Sequence, residues 1–515
     1  SRVKGYMRTK VISIKESTPL HIIQGIMFEK NIGQIPVLKK AKLVGIVTRT
    51  DVLKRVHSDL FGKENVSARR QLTFSLSGKM RKVLPKKILR ILKLIGKMSR
   101  KAGYRSFAVG GFVRDILLGV KNFDIDIVLE GSAIEFGSLL AGELKGSLVL
   151  HRKFGTATVV IDWPKGLERP PLAGPKFKID LAQARRETYE RPAALPTVRF
   201  SSLKNDLSRR DFSINAMAVS LNKEDFGELI DFFNGIQDLK NEKIRALHDA
   251  SFIDDPTRIF RAVRFEQRYL FKIDDYTERL IRDAMREKMF TKTQNQRIRD
   301  ELILILKEKS PLKALKRMKE LHELRFIHKK IVITKDIERL FKACLRAYNW
   351  YNAKPFKRRN PDLYLMCLIA LTDNLSLKDI INLCSKFVFK RSDRIRLISY
   401  KKNFKKALRV LSLHKKISAS WVYRTLEPLS YEAILLIWAR SDDRIVKRRI
   451  NLFLERYNGM RIKLRGEDLK KFGIRSGPQF KKILIKILYA KLDGKVKTKK
   501  DELGYLKQIA QKGRK

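Results

Sequence analysis

The sequence predicts a mixed α/β unit followed by a long region made almost entirely of helices, with a small separate α/β unit at the N-terminus. Residues 1–57 alternate strand and helix patterns in a β-α-β-β-α order. Residues 89–235 again mix strands and helices, and after residue 236 nearly every segment has the apolar period of an amphipathic helix. A chain of 515 residues exceeds what one core holds, and about three or four domains are expected.

The elements follow one another in a clear order. Between the two α/β units, residues 58–88 are polar and basic with little periodicity, which is typical of a linker. The larger unit holds two segments with strand character, FGTATVVID at 154–162 and FKID at 177–180. In the helical region, Pro256 suits the first turn of a helix, and the acidic residues beside it suit the positive end of the helix dipole.

The charge of the chain points to its class of partner. It carries 113 lysine and arginine residues against 54 aspartate and glutamate residues, a net charge of +59. A lysine-rich lineage would raise the charged fraction, but it would not produce a twofold excess of one sign, so a polyanionic partner is the better explanation. The basic clusters are spread out, which predicts an extended phosphate-binding surface. They are FKRRN at 356–360, YKKNFKK at 400–406 and KVKTKK at 495–500.

The cysteines, the histidines and the apolar runs exclude several other classes. Cys344, Cys367 and Cys384 lie in apolar helical contexts without metal-ligand spacing, which predicts buried thiols in a reducing cytoplasm. The seven histidines form no cluster, so no zinc site is predicted. The longest apolar run, around 363–371, is too short to cross a bilayer, and no signal peptide is visible. The chain begins at Ser1 in the middle of a pattern and is expected to be a piece of a longer protein.

A glycine pair provides the first sign of a nucleoside triphosphate site. In SFAVGGFVRD, Gly110 and Gly111 open a predicted helix that carries Arg114. Backbone N–H groups at such a glycine-rich helix start bind phosphate. A Gly-Gly pair alone is more often an ordinary turn, so the interpretation depends on the residues that follow.

Those residues are two carboxylates in the apolar strand of NFDIDIVLEG. Asp124 and Asp126 are two residues apart, so in a strand both point the same way and can hold divalent metals that bridge phosphate oxygens. Asp180, at the end of FKID, is a third candidate if its strand lies beside theirs. An Asp-x-Asp pair alone is more often a solvated strand edge. Beside the glycine pair it predicts in-line phosphoryl transfer with two Mg²⁺ ions about 4 Å apart.

Two downstream motifs carry charges that suit a nucleotide. LSRRDFSINAMAVSL contains Arg209, Arg210 and Asp211 ahead of a predicted apolar helix, and its arginines can reach a ribose or triphosphate oxygens. DDPTRIFRAVRF places Asp255 and Arg258 three residues apart, on one face of a predicted helix. For the Arg-Arg-Asp run, the simpler alternative is a set of ordinary surface charges near a helix start.

In this order, the motifs closely resemble those of the class II tRNA nucleotidyltransferases, the bacterial-type CCA-adding enzymes and poly(A) polymerases. The five motifs are VGGFVRD, FDIDIVLEG, FGTATVVID, RRDFSINAMA and DDPTRIFRAVRF, and LRGEDLKKFGIRSGPQF at 464–480 adds a weaker match. The resemblance implies an α/β head of the DNA polymerase β-like nucleotidyltransferase fold followed by helical domains. Their expected bounds are 89–235 for the head, 236–310 for a neck with the base-reading helix, 311–420 for a body and 421–515 for a tRNA-binding tail.

The resemblance also implies roles for the matching residues. Asp124 and Asp126 would hold the metals, the Arg-Arg-Asp run at 209–211 would contact the nucleotide sugar, and Asp255 and Arg258 would read the base. ATP, with CTP as an alternative, would be the substrate, and the acceptor–TΨC arm of tRNA would be the partner.

The chemistry of Asp255 and Arg258 supports a base-reading role. A carboxylate only accepts hydrogen bonds and a guanidinium only donates them. Cytosine and adenine each offer an amino donor beside a ring-nitrogen acceptor, which satisfies both side chains. Uracil and guanine offer the opposite pattern, and each unpaired buried group would cost about 1–3 kcal/mol. The family usually has glutamate where this chain has Asp254.

Three activities compete within the family. Poly(A) polymerases typically carry an Arg-Phe-Arg-x-x-His element where this chain has KFGTATVVI, which counts against poly(A) synthesis. Enzymes that add only C are thought to lack a working version of the loop ARRETYERPAALPTVRF, which is long here. The sequence therefore favours addition of the terminal adenosine to tRNA ending in CC, and complete CCA addition is the alternative.

Residues 1–57 resemble a CBS domain, including Gly33, Pro36 and the TRTD tail at Thr48–Asp51. In that family the threonine and aspartate of the tail can contact an adenosine ribose. CBS modules act in pairs and this sequence holds one, so the expected role is self-association or assembly with a partner. CBS fusion and a long helical tail resemble the A-adding branch. Two other hypotheses remain, a non-catalytic RNA-binding protein and an adenylate-sensing regulator.

Overall fold

The computed structural model of the protein forms two compact units, Ser1–Phe74 and Ser75–Lys515. The structure describes residues 11–19, 22–23, 26–27, 32–48, 51, 74–167, 169, 176–188, 193, 197–474 and 476–512.

The N-terminal unit contains a small three-stranded sheet. Its strands are β1 Ile14–Lys15, β2 Gln34–Lys39 and β3 Lys42–Thr48. β1 pairs with β2 in parallel and β2 pairs with β3 as an antiparallel hairpin. Lys40 and Ala41 form the turn with φ of 46° and 64°, the left-handed conformation that suits a two-residue hairpin. The strands agree with the predicted order, and most of the predicted helices fall outside the described residues.

The two ends of the TRTD tail contact each other. The Thr48 N–H and Oγ1–H donate to Asp51 Oδ2 at 3.0 and 2.6 Å, and the Asp51 N–H donates back to Thr48 Oγ1 at 3.2 Å. This reciprocal pattern is a capping box, which stabilises a helix start. Contact with an adenosine ribose stays a prediction for these two residues.

The second unit contains a seven-stranded sheet. Its strands are β4 Ser106–Val109, β5 Ile125–Leu129, β6 Ser147–His151, β7 Thr156–Asp162, β8 Lys176–Gln183, β11 Met217–Ser220 and β12 Leu229–Asp231. They lie in the order β12-β11-β4-β5-β8-β7-β6, in which β5 and β8 are parallel neighbours and the other pairs are antiparallel. A separate hairpin pairs β9 Arg185–Thr188 with β10 Thr197–Phe200.

Helices cover both faces of this sheet. They are α1 Ser77–Val83, α2 Lys86–Lys101, α3 Gly111–Leu118, α4 Ala133–Glu143, α5 Leu203–Ser208 and α6 Gly235–Lys240. The main core of this region packs α1 to α4 on one face, around buried side chains such as Leu92, Phe112 and Phe136. A smaller cluster on the other face contains Phe107 and Leu207. Burial of apolar strand and helix faces against each other is what holds this layer together.

Two segments differ from the sequence-based expectations. The end of the range predicted as a linker is helical, since α1 and the start of α2 lie within 58–88 and bury Met80 in the core; residues 58–73 lie outside the described part. The apolar segment after Asp211 forms a 3₁₀ turn, Ser213–Asn215, and then β11 rather than a helix. β11 lies between β4 and β12, and this long-range pairing overrides the local helical pattern.

The rest of the second unit is helical, as predicted, apart from the short parallel strands β13 Lys243–Ile244 and β14 Lys272–Ile273. The helices up to the middle of this region are α7 Ser251–Asp254, α8 Thr257–Tyr269, α9 Asp275–Arg286, α10 Asn295–Leu306, α11 Pro311–Glu320, α12 Leu324–Ile327 and α13 Lys335–Asn352. Those that follow are α14 Leu363–Leu371, α15 Leu377–Lys386, α16 Arg391–Leu411, α17 Ala419–Leu426, α18 Tyr431–Arg440, α19 Arg444–Glu455, α20 Gly466–Lys471, α21 Pro478–Leu492 and α22 Lys499–Lys512.

One large apolar core joins α8 to α19, and a small separate cluster joins α20 to α22. Cys344, Cys367 and Cys384 are unpaired thiols in the large core, which confirms that these residues are buried. Burial raises the pKa of Cys344 and Cys367 above that of an ordinary thiol. Among the described helices, none is long and apolar enough to cross a membrane.

A buried carboxyl group in this helical region predicts a pH-dependent stability. Neither side-chain oxygen of Glu323, just before α12, has a hydrogen-bond partner. Burial raises the pKa of Glu323 from 4.5 to about 8, against the opposing charge of Arg317. The folded protein therefore holds a proton that the unfolded chain releases near pH 4.5. Stability should fall as pH rises from about 4.5 to 8, by about 1.4 kcal/mol per pH unit from this group.

Glu323→Gln should remove this part of the pH dependence and make the protein more stable than the wild type at pH 8. The measurement is the apparent melting temperature of both proteins between pH 5 and 9. Glu287→Gln is the matched control, because Glu287 follows α9 and its side chain is exposed. Parallel pH profiles for wild type and Glu323→Gln would contradict the assignment.

Candidate active site

Gly110 and Gly111 form the turn that leads from β4 into α3. Gly110 has φ of 71° and ψ of −134°, a conformation that is open almost only to glycine. A Cβ at Gly110 would lie 2.6 Å from Nη1 of Arg210, and a Cβ at Gly111 would lie 3.2 Å from Nη2 of Arg114. The glycines therefore let two guanidinium groups approach the helix start, where backbone N–H groups bind anions well.

Arg114 is buried and held in one orientation. Its Nε donates to Asp115 Oδ1 at 2.9 Å, and its Nη1 donates to Asn215 Oδ1 at 2.5 Å. The guanidinium lies over the ring of Tyr269, with its Cζ 4.6 Å from the ring centroid. These contacts join α3 to the end of α8 and fix a positive charge at one side of the site.

The candidate carboxylates lie opposite this turn. Asp126 on β5 pairs in register with Asp180 on the parallel strand β8, so the two side chains are direct neighbours. Asp180 lies within β8 rather than at its end, and its Oδ1 accepts a hydrogen bond from Thr158 Oγ1 at 2.6 Å. Asp124 is the residue before β5, not part of the strand. The structure therefore brings the three predicted carboxylates to one place on the sheet.

The negative charge of these three carboxylates suits a cation that is held partly by the protein and partly by substrate phosphates. Burial, and then the negative charge of Asp124, raise the pKa of Asp126 to about 6. Desolvation inside the cleft, and then the charge of Asp180, raise the pKa of Asp124. In the described chain, no group of three or more histidine, cysteine, aspartate or glutamate side chains could hold a metal by itself. Mg²⁺ is usually held by one or two carboxylates plus substrate phosphates, so this crowded negative charge fits it.

Arg209 and Arg210 are positioned by two acidic residues, Glu187 and Asp206, that were not predicted as site residues. Arg209 Nη2 lies 2.5 Å from Asp206 Oδ1, and its Nη1 lies 3.0 Å from Oε1 of Glu187 on β9. Arg210 Nη2 lies 3.2 Å from Asp206 Oδ2. Asp206 is completely buried, so it is a fixed anchor for both arginines. Its spacing of three and four residues from them is a helical ion-pair signal that the sequence contained.

Asp211 is buried, and protein groups engage both of its oxygens. Oδ2 accepts from Nε and Nη2 of Arg261 at 2.8 and 2.6 Å, and Oδ1 accepts from the Phe212 N–H and from Asn215 Nδ2. Burial alone would raise the pKa of Asp211, but Arg261 and Asn215 hold it at about 2. Asp211 therefore connects the sheet region to α8. Its contact with a nucleotide sugar stays a prediction.

Asp255 lies in an extended link between α7 and α8, so it is not on the helix as expected. Its Oδ1 accepts from the N–H and Oγ1 of Thr257 at 3.1 and 2.6 Å. Its Oδ2 accepts from Arg297 Nη2 on α10 at 2.5 Å. These contacts fix the carboxylate orientation at the cleft wall. Arg297 is 42 residues away in sequence, and no local pattern indicated this contact.

Arg258, in the first turn of α8, is buried with only a small exposed fraction. Its Nη1 donates to Ser251 Oγ and its Nη2 donates to the carbonyl of Arg209, both at 2.7 Å. The second contact connects the predicted base-reading arginine directly to the Arg-Arg-Asp segment. A rigid arginine beside a rigid carboxylate can present a fixed pattern of donors and acceptors to a base.

Every site residue predicted from the sequence lines one cleft of ≈1320 Å³. These residues are Gly110, Gly111, Arg114, Asp124, Asp126, Asp180, Arg209, Arg210, Asp211, Asp255 and Arg258. The volume exceeds that of common small-molecule sites, about 300–1,000 Å³. The cleft can therefore accommodate a nucleoside triphosphate together with the end of a second substrate.

The sequence matches two family models. Residues 106–245 match the poly A polymerase head domain, and residues 3–58 match the CBS domain.

Three curated relatives extend the match along the chain. The A-adding tRNA nucleotidyltransferase of Geobacter sulfurreducens is 36% identical over 99% of this chain and 57% of its own length. That of Aquifex aeolicus is 35% identical over 86% of the chain and 50% of its own length, so the chain spans about half the length of these two relatives. That of Halalkalibacterium halodurans is 31% identical over 82% of the chain and 92% of its own length.

Solved structures agree with the fold described above. A structure of the Thermotoga maritima CCA-adding enzyme complexed with tRNA matches with a TM-score of 0.62 and 34% identity, covering 85% of this chain and 99% of that one. An apo CCA-adding enzyme matches with a TM-score of 0.66 and 35% identity, covering 85% and 100%. Because these matches cover more than four-fifths of the chain in both sequence and fold, the chain belongs to the class II tRNA nucleotidyltransferase and poly(A) polymerase family.

Proposed function

We propose that this protein transfers AMP from ATP to the 3′-hydroxyl of tRNA ending in CC, without a nucleic-acid template. The observation that carries the proposal is the single cleft that combines the Gly110–Gly111 turn, the carboxylates of Asp124, Asp126 and Asp180, and the pair Asp255 and Arg258. Each group corresponds to one requirement of the reaction: phosphate binding, in-line transfer and choice of base.

In the proposed reaction, the primer hydroxyl attacks the α-phosphorus, a new P–O bond forms, and the bond to the β-phosphate oxygen breaks to release pyrophosphate. Asp124 and Asp126 are the residues that would hold Mg²⁺, which when bound neutralises phosphate charge and lowers the pKa of the attacking hydroxyl. Asp180, oriented by Thr158, completes the acidic side of the site. Arg114, Arg209 and Arg210 would bind the triphosphate and the sugar.

The fixed orientation of Asp255 and Arg258 supports their role in choosing the base. Asp255 Oδ2 has one hydrogen bond from Arg297, which leaves acceptor capacity on the carboxylate for an amino group of adenine or cytosine. Arg258 has five N–H donors, and the two contacts to Ser251 and Arg209 leave donors for a ring nitrogen. Uracil and guanine would place a donor against Arg258 and an acceptor against Asp255.

The remaining domain assignments belong to the same proposal. The head at 89–235 and the neck at 236–310 would form the cleft, while the body at 311–420 and the tail at 421–515 would bind the acceptor–TΨC arm through their basic surface. The CBS unit at 1–57 would mediate assembly.

Addition of A alone is favoured over complete CCA addition by the names of the curated relatives, three of which are A-adding enzymes. The structure adds a physical observation on the loop between β9 and β10. The Ala193 N–H donates to the carbonyl of Ile253 at 3.1 Å, so the loop contacts α7 directly before the base-reading pair. This contact supports a role for the loop in positioning the base of the incoming nucleotide.

The test compares two primers with the two triphosphates. We expect rapid ATP incorporation into tRNA ending in CC and little CTP incorporation into tRNA lacking all three terminal nucleotides. The physical reason is that the primer end must reach Asp124 and Asp126, and a misplacement of about 1 Å can cost about a hundredfold in rate. Single-turnover assays with labelled ATP and CTP measure both rates. Efficient synthesis of the whole CCA end would overturn A addition and leave nucleotidyl transfer standing.

A further inference from the structure

A second, smaller cavity lies directly beside the proposed active cleft. It encloses ≈290 Å³ between α10 and the helical region around α14 to α16. Asp300, on α10, lines both the cavity and the cleft, so the two spaces meet at this residue. We call the cavity the α10 pocket. None of the eleven residues assigned to nucleotide or metal binding lines it.

An aromatic ring in a fixed orientation forms one wall of the α10 pocket. Tyr364, in α14, donates its hydroxyl to Asp393 Oδ2 at 2.9 Å, and Asp393 is only 3% exposed. The Lys307 ammonium, just after α10, lies over the face of the Tyr364 ring, 5.2 Å from the ring centroid. An ordered ring together with a cation is the combination that binds stacked bases and their phosphates in single-stranded nucleic acid.

The rim of the α10 pocket is both apolar and basic. Leu304 is 40% exposed on α10, and Lys390 is an exposed cation just before α16. Val388, two residues before Lys390, is 51% exposed and has φ of 50°. It follows the C-cap of α15 in the left-handed conformation usually taken by glycine, and a β-branched residue is strained there. Arg299 holds this turn by donating to the carbonyls of Phe387 and Val388.

We propose that the α10 pocket binds an unpaired nucleotide of the RNA substrate that lies just upstream of its 3′-terminal residue. The inference rests on the proposed function, because RNA whose 3′ end lies in the cleft must leave it along one of the adjoining surfaces. The base would stack on Tyr364 in the place that the Lys307 ammonium occupies over the ring, and the displaced Lys307 ammonium and Lys390 would contact the backbone phosphates. Stacking suits any base, so this contact would position the primer rather than read its sequence.

The first test separates stacking from structural effects. Full-length Tyr364→Ala and Tyr364→Phe are compared using tRNA ending in CC, alongside the same tRNA with a single abasic residue at each of the four positions before the terminal C. Tyr364→Ala should raise the KM for normal tRNA about tenfold or more. The KM for ATP should not change. At one abasic position, the difference between Tyr364→Ala and wild type should disappear. Tyr364→Phe keeps the ring and should stay close to wild type.

A second pair of variants keeps the test decisive if Tyr364→Ala fails to fold. Lys307→Glu and Lys390→Glu change exposed side chains and should each raise the KM for tRNA, while Lys97→Glu, an exposed site on α2 that lines neither the cleft nor the pocket, is the charge-matched control. Equal effects of all three lysine variants, or equal effects of Tyr364→Ala on every abasic primer, would overturn the proposal. If wild-type protein incorporated no ATP at all, the proposed function itself would fail, which is a distinguishable result.

Discussion

Asp126→Asn is expected to lower the rate of AMP incorporation into tRNA by about a thousandfold or more. Asparagine keeps the shape of the side chain but removes one of the two negative charges that would hold a metal ion against the triphosphate. Electrostatic stabilisation by a bound metal contributes several kcal/mol to such a transition state, and each 1.4 kcal/mol is about tenfold in rate. The measurement is a single-turnover assay with labelled ATP and saturating enzyme. Asp124→Asn should lower the incorporation rate by a similar factor.

The control is Asp162→Asn. Asp162 ends β7 in the same sheet, but its side chain is 89% exposed and forms an ion pair with Lys176 away from the cleft. This variant should keep the wild-type rate. Binding of tRNA should be unchanged in all of these proteins. Normal incorporation by both Asp124→Asn and Asp126→Asn would remove the catalytic assignment and favour a non-catalytic RNA-binding protein.

Asp211→Ala is expected to destabilise the protein by about 1–3 kcal/mol, because it leaves Arg261, whose side chain is one-third exposed, without its nearest carboxylate. The affected partner is Arg261, whose remaining carboxylate neighbour, Glu301, is 3.4 Å away and offsets part of the loss. Because Arg261 lowers the pKa of Asp211 to about 2, the stabilisation should be complete above about pH 3.8 and lost as pH falls towards 2. Urea unfolding followed by circular dichroism at pH 7 checks the magnitude.

A double-mutant cycle tests whether the pair is responsible. Arg261→Met and the double variant Asp211→Ala/Arg261→Met are measured with Asp211→Ala under the same conditions. The double variant should lose about 0.5–3 kcal/mol less stability than the sum of the single variants. Additive losses would show that Asp211 acts without Arg261, and the proposed connection between the sheet and α8 would then be wrong.

Several features of this protein were predictable from the sequence because they depend on residues close together in the chain. The glycine pair, the Asp-x-Asp spacing and the Arg-Arg-Asp run identified residues that all line one cleft. The strand at 156–162 and the amphipathic helices after residue 236 were also correct, because strand alternation and helical period are local properties. The ordered motifs resemble those of the family to which the chain belongs, so the family was also predictable.

Other features were decided only by contacts between distant parts of the chain. The segment after Asp211 has a helical pattern, yet it forms β11 because β4 and β12 offer hydrogen-bonding edges on both sides. Asp180 became a neighbour of Asp126 only through the parallel pairing of β5 and β8. Asp255 is oriented by Arg297, which lies 42 residues away in sequence. Asp211 is oriented by Arg261, which lies 50 residues away.

Sequence by itself thus determined which side chains carry the chemistry, since the spacing of charges and glycines follows from the local geometry of helices, strands and turns. The tertiary structure alone decided how those side chains are oriented and what surrounds them. Hydrogen-bond partners of a buried charge are selected by proximity in the folded chain, where leaving the charge unpaired is costly. The orientation of Asp255 by Arg297 and the α10 pocket beside the cleft both arise at this level.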